Sequence, residues 1–225
     1  MMSESMKWQL LKNPISLGDF NNNVQLKARA FALDVTPVSQ KRRYIAIKDE
    51  IELTFKSQHR LQYSAKLPHF DGNWIREKQS AQSKSCIGII TVHPPIAGKY
   101  SLDIFAKHIT DEGPLDQVAV YNIQCNDVKD STFEFPMVYA SDYTDQCDIM
   151  QPRNARLPDN SDVVFEIKAP HVKNVSVNTE MLKSNGGTFR GKIKANDKGL
   201  TYTVNAIFHK GSIIHFTGMF QFYTV

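Results

Sequence analysis

Pro94-Pro95-Ile96-Ala97-Gly98-Lys99-Tyr100-Ser101-Leu102-Asp103-Ile104-Phe105-Ala106-Lys107 is the stretch whose reading decides the fold. Two prolines and a glycine make a turn. After it Tyr100, Leu102, Ile104 and Ala106 alternate with Ser101, Asp103, Phe105 and Lys107. Successive side chains of a strand point to opposite faces, so the alternation is that of a strand with one buried face.

The same stretch carries a second signal. A tyrosine entering a late strand just after a turn, with the next core position two residues on, is the arrangement of the immunoglobulin "tyrosine corner", where a cysteine occupies that core position. Leu102 stands there instead. Leucine supplies apolar volume without oxidation, which suits an immunoglobulin-like core in a reducing compartment.

Working outward, the flanking segments repeat the period. Val24, Leu26, Ala28 and Ala30 predict a first strand, and Pro37 with the polar Ser39 to Arg43 predicts a turn. Tyr44 to Lys48, Ile51 to Lys56, Leu61 to Leu67, Cys86 to Val92 and Val118 to Cys125 complete a set of strands. Trp8 to Phe20 reads as an N-terminal arm laid against the core, and Arg76 to Ser85, almost wholly polar, as a mobile surface loop. No segment has the period of a three-turn amphipathic helix, which argues against an α/β fold.

The second half resembles the first. Val163 to Lys168 parallels Ile51 to Lys56 and is followed by the strand Val172 to Val177. Tyr202 to Phe208 after Lys198-Gly199 parallels Tyr100 to Ala106 after Ala97-Gly98. Asn185-Gly186-Gly187 predicts a hairpin turn joining Met181-Leu182 to Phe189–Ile193, and Ile213 to Phe216 and Phe220 to Val225 read as two final strands. The expected architecture is all-β: two tandem immunoglobulin-like β-sandwich domains. Residues 1–127 form the first with the N-terminal arm, and residues 128–225 the second, with the boundary in the polar stretch Asn126 to Thr132.

Composition narrows the function. The 225 residues are 41% hydrophobic and 10% aromatic, enough for globular cores, and 27 basic against 23 acidic side chains give a formal charge of +4. The longest basic run is Lys41-Arg42-Arg43, far short of a nucleic-acid footprint, so no nucleic-acid partner is expected. No segment approaches the roughly 18 apolar residues of a membrane span. The N-terminal Met-Met-Ser-Glu-Ser-Met-Lys-Trp lacks the pattern of a secretory signal, which predicts a cytoplasmic address and makes Asn174-Val175-Ser176 a coincidental sequon.

A nucleophile, a base and an orienting group are not signalled together. Cys86 lies in an apolar strand, Cys125 at a strand end, and Cys147 in a polar stretch where it reads as the exposed thiol of the three. The seven histidines are scattered singly, without metal-ligand spacing, and no glycine-rich phosphate loop opens a helix. No catalytic residue, metal or cofactor is therefore expected. Surface for binding proteins remains. Lys41, Arg42 and Arg43, with Arg76 and Lys78 in the polar loop, are the candidate partner-binding residues, facing an acidic surface.

Trp8 to Phe20, Pro94 to Lys107 and Val118 to Cys125 together resemble the region that follows the transglutaminase-like domain in the kyphoscoliosis-peptidase and hillarin family. Phe135-Pro136, Cys147 with Pro152 beyond it, and Phe189-Arg190-Gly191 resemble that family's terminal module. The family's catalytic Cys, His and Asp lie upstream of these modules, and nothing in this sequence matches that segment. The resemblance implies an intracellular, cytoskeleton-associated protein whose β-sandwiches dock filamin-like or septin-like partners. An accessory half of a transglutaminase-like enzyme and an extracellular recognition or adhesion module are the alternatives, and the oligomeric state is left open.

Overall fold

Ile51-Glu-Leu-Thr-Phe-Lys-Ser57 folds as its alternation requires, with Ile51, Leu53, Phe55 and Ser57 buried and Glu52 and Lys56 exposed. The computed structural model describes residues 16–69, 75–82, 85–139, 147–210 and 213–225. It divides into two compact units, Met1–Phe70 with Ala81–Lys129 and Asp71–Ser80 with Asp130–Val225.

In the first unit, two short helices, α1 (Leu17–Asn22) and α2 (Ala28–Ala32), flank the first short strand. One sheet holds β4 (Ile51–Ser57) between β2 (Thr36–Pro37) and β7 (Ser85–Val92); the strand order continues to β6 (Ile75–Gln82), of which Ile75–Ser80 counts with the second unit. The other runs β9 (Asp116–Cys125), β8 (Gly98–His108), β5 (Leu61–Lys66). The outer edge of β9 is shared by β1 (Gln25–Leu26), antiparallel to it, and β3 (Tyr44–Ile47), parallel to it.

The second unit repeats this arrangement with one short strand more. β10 (Met137–Val138) pairs antiparallel and β12 (Arg156–Leu157) parallel with the last strand, β19 (Ile213–Thr224). β11 (Asp148–Gln151) pairs with β13 (Ser161–Lys168), which pairs with β17 (Thr188–Ala195), which pairs with β16 (Lys183–Asn185). β19 continues to β18 (Thr201–Lys210), β14 (Asn174–Val177) and β15 (Glu180–Met181). Each unit is thus an immunoglobulin-like β-sandwich.

The repeat extends to single residues. Phe55 lies opposite Gly88, and Phe165 opposite Gly191, across the same strand pair of each sandwich. Both phenylalanines are fully buried, and each contributes roughly 2–3 kcal/mol of apolar burial. Tyr100 donates its hydroxyl to the Ile96 carbonyl at 2.5 Å and accepts from Ile96 N at 3.3 Å. Tyr202 accepts from Asn196 N at 2.7 Å and donates to the Lys194 carbonyl at 3.4 Å. Leu102 and Val204, two residues on, are completely buried.

Several expectations are corrected. Val24 to Ala30 is no strand beyond Gln25–Leu26; Ala28-Arg-Ala-Phe-Ala32 turns into helix, because alanine favours it and is too small to anchor a strand face. Phe20 belongs to α1, whose cap is Ser16, and is exposed instead of laid on a core; Trp8 to Asn13 lie outside the described residues. The polar stretch from Arg76 is strand β6, held by its place beside β7, since an outermost strand needs no apolar alternation of its own. Met181 pairs with Ser176 on β14, so the Gly186-Gly187 hairpin begins at Lys183; both glycines have the positive φ that such a two-residue turn requires. The final two strands are one, β19, in which a bulge between the pairs Val204/Phe220 and Asn205/Gly218 takes up Met219.

Candidate functional site

Lys41-Arg42-Arg43 reads in sequence as a solvated turn, but its backbone is pinned on both sides. Val24 N donates to the Lys41 carbonyl at 2.8 Å, Arg43 N to the Asn22 carbonyl at 2.7 Å, and Asn122 N to the Arg43 carbonyl at 2.8 Å. Arg42 forms an isolated antiparallel bridge with Asn23. The segment is therefore clamped between the end of α1 and strand β9, and its side chains project from a fixed base.

This places Lys41 and Arg43 in the wall of a groove of about 850 Å³. The groove also takes in Phe20 of α1, Phe31 of α2, and Tyr44 at the start of β3. Phe20, Phe31 and Tyr44 are 63%, 72% and 62% exposed, an unusual concentration of aromatic surface on one face. No carboxylate is among the lining residues.

The Arg43 guanidinium lies over the Tyr44 ring, 5.7 Å from its centroid. Its Nε is shut off from water and makes no hydrogen bond among the described residues. An orphaned donor of this kind costs about 1–3 kcal/mol. On the other side of Tyr44, a second hollow of about 540 Å³ lies over β3, β9 and β8, lined in part by Lys99, Ser101, Asn122 and Gln124.

Of the five predicted residues, Lys41 and Arg43 come together in the groove. Arg42 is beside them in the chain but is not part of the lining, and Arg76 and Lys78 belong to β6. The aromatic contribution was missed. Its signal is in Phe20, which the sequence reading places in the N-terminal arm, and in Phe31, which falls outside every alternating run.

The thiols are placed differently from expectation. Cys147 is 6% exposed, not the exposed member of the set; its Sγ is 3.7 Å from Met219 Sδ and 4.0 Å from His171 Nε2. A sulfur so enclosed offers no approach to a substrate carbon, so this pair is no nucleophile and base. Cys125 is wholly buried and donates to the Asp127 carbonyl at 3.1 Å, and burial pushes its thiol pKa up. No disulfide links the three cysteines. Among the described residues no group of three His, Cys, Asp or Glu side chains is placed to hold a metal, and no helix is long and apolar enough to cross a membrane. The histidines are not all solitary: the rings of His59 and His108 meet edge to face at 5.0 Å, and His93 Nε2 is 3.7 Å from Asp49 Oδ1. In the sequon Asn174-Val175-Ser176, Ser176 is wholly buried and its hydroxyl donates to the Asn178 carbonyl.

Several solved structures are similar to the chain. The tandem Ig repeats of Dlar share 9% identity over 85% of this chain and 97% of that one, with a TM-score of 0.25. A chimeric titin Z1Z2-Z1Z2 tandem shares 11% over 84% and 100%, at 0.22, and fibronectin(III)-like modules of Clostridium thermocellum CbhA share 11% over 84% and 93%, at 0.23. No curated protein matches the chain. A family model described as KY-like, immunoglobulin-like domain matches residues 17–137, which hold the whole groove and the Tyr100 corner. That match takes in more than half of the 225 residues, and the chain belongs to this family of KY-like immunoglobulin-like domains.

Proposed function

We propose that the chain is a non-enzymatic protein-binding module, a scaffold or adaptor, whose first domain docks a partner segment carrying carboxylates beside an aromatic or aliphatic side chain. The observation that carries this reading is the Arg43 guanidinium. It lies over Tyr44 at the wall of a groove that exposes Phe20 and Phe31 and lacks any acidic lining. A carboxylate would complete the arginine while an apolar neighbour covers the aromatics, the division between anchor and charge that makes interface hot spots.

The resemblance to the kyphoscoliosis-peptidase and hillarin family, together with the family match, supports a finer reading. In it the module works in the cytoplasm on cytoskeletal partners of the filamin-like or septin-like kind. The test is co-sedimentation of the full chain with a detergent-insoluble cytoskeletal fraction. The wild type is expected to pellet with the fraction, and the Lys41→Glu/Arg43→Glu variant to remain in the supernatant with its melting temperature unchanged. Equal pelleting of both would remove the groove as the docking site. A wild type that stays in the supernatant would remove the cytoskeletal partner.

A further inference from the structure

We infer that the second domain holds a soft monovalent metal ion, Cu(I), between Cys147, Met219 and His171. The three donors come from separate parts of the fold: Cys147 immediately before β11, His171 in the β13–β14 connection, and Met219 on β19. Met219 is the residue taken up by the β19 bulge, and it is completely buried with its sulfur against the thiol. Bulges re-aim side chains toward sites, and this one brings a thioether beside a thiol.

Two donor separations lie close to those of three-coordinate ligation. Bonds of about 2.3 Å to sulfur and about 2.0 Å to nitrogen, as in protein sites of another d¹⁰ ion, set two sulfurs of a trigonal site about 4.0 Å apart and a sulfur and a nitrogen about 3.7 Å apart. From Cys147 Sγ, Met219 Sδ lies at 3.7 Å and His171 Nε2 at 4.0 Å, so small side-chain shifts would bring both to an ion.

Donor chemistry and charge choose the metal. Thiolate and thioether ligands select Cu(I), and imidazole suits it as well. On binding, the S–H bond of Cys147 breaks, an S–Cu bond forms and the proton leaves to water, with no change of oxidation state. A thiolate with a monovalent cation is neutral, whereas a divalent ion would leave a net positive charge beside the apolar core to which Cys147 and Met219 belong, where an uncompensated charge is costly. His171, exposed while the two sulfurs are buried, gives the ion its way in.

The experiment uses the full chain carrying Cys86→Ser and Cys125→Ser, so that one thiol remains, under anaerobic reducing conditions with Cu(I) supplied as its coloured bicinchoninate complex. One Cu(I) per chain is expected to be withdrawn from the chelator. Cys147→Ser should abolish the uptake, and Met219→Leu and His171→Asn should each weaken it at least tenfold. His171→Asn alters an exposed residue and keeps the test valid if Cys147→Ser fails to fold, as judged by thermal melting. Failure of the single-thiol chain to withdraw copper, or uptake undiminished by His171→Asn, would overturn the proposal. Neither result bears on the groove of the first domain.

Discussion

The two sandwiches are set by a few residues whose neighbours leave no alternative. A Cβ on Gly88 would sit 2.4 Å from the Tyr63 ring, which is itself stacked on Phe55 at 5.9 Å, so nothing rigid can yield. Gly88→Ala is expected to cost roughly 1–3 kcal/mol by overpacking, read as a lower denaturant midpoint at unchanged slope. At the equivalent Gly191 the obstacle is the Leu182 Cδ2 atom at 2.7 Å, the end of a side chain that can rotate, so Gly191→Ala should cost less. Tyr100→Phe removes both links to Ile96 and should destabilise by about 1–2 kcal/mol in the same unfolding assay. The thiols offer a second check. Cys125 is buried with a raised pKa, while Cys86 is half-buried, so brief alkylation of the native chain near neutral pH, read by mass spectrometry, should label Cys86 well before Cys125.

Elements with one wet and one dry face were legible from alternation alone, and those without one were not. Ile51–Ser57, Leu61–Lys66 and Gly98–His108 each show the period because one sheet face is core. β6 escaped notice because its place in the sheet follows from a neighbouring strand, and α2 because three alanines at alternate positions imitate a strand face. The bulge in β19 hid a continuous strand, and Gly218 permits it: a Cβ there would come within 3.1 Å of the Tyr139 ring. The basic half of the groove was legible in Lys41-Arg42-Arg43, whereas the approach of Phe20 and Phe31 to it depends on how two short helices fold back. Across β13 and β17, Lys192 Nζ lies 2.7 Å from Asp162 Oδ2, and that hydrogen bond holds the carboxyl below its ordinary value. Whatever this pair adds to stability is present above the ordinary carboxylate range and is lost as pH falls through the depressed value. Lys192→Ala should return the Asp162 titration, followed by NMR, toward the ordinary range.

At the scale of the whole molecule, the second sandwich repeats the first with one added strand, β15, down to the divided edge of its last strand and the phenylalanine opposite glycine. What the repeat does not copy is therefore informative about function. Among the described residues only the first unit has helices such as α1 and α2 and the clamped basic segment, and these line the groove together with β1 and β2. On the function proposed above, recognition belongs to the outside of the first unit, where these elements meet. The central claim is that this groove selects an acidic segment with an apolar anchor. The measurement that tests it most directly is selection of a random displayed peptide library on the full chain, followed by the affinity of the selected peptide for the wild type and for Lys41→Glu/Arg43→Glu. The account predicts a consensus of Asp or Glu flanking an aromatic or aliphatic residue, affinity that falls with salt, and at least a tenfold loss in the variant. A basic consensus, or equal affinity for both proteins, would contradict it.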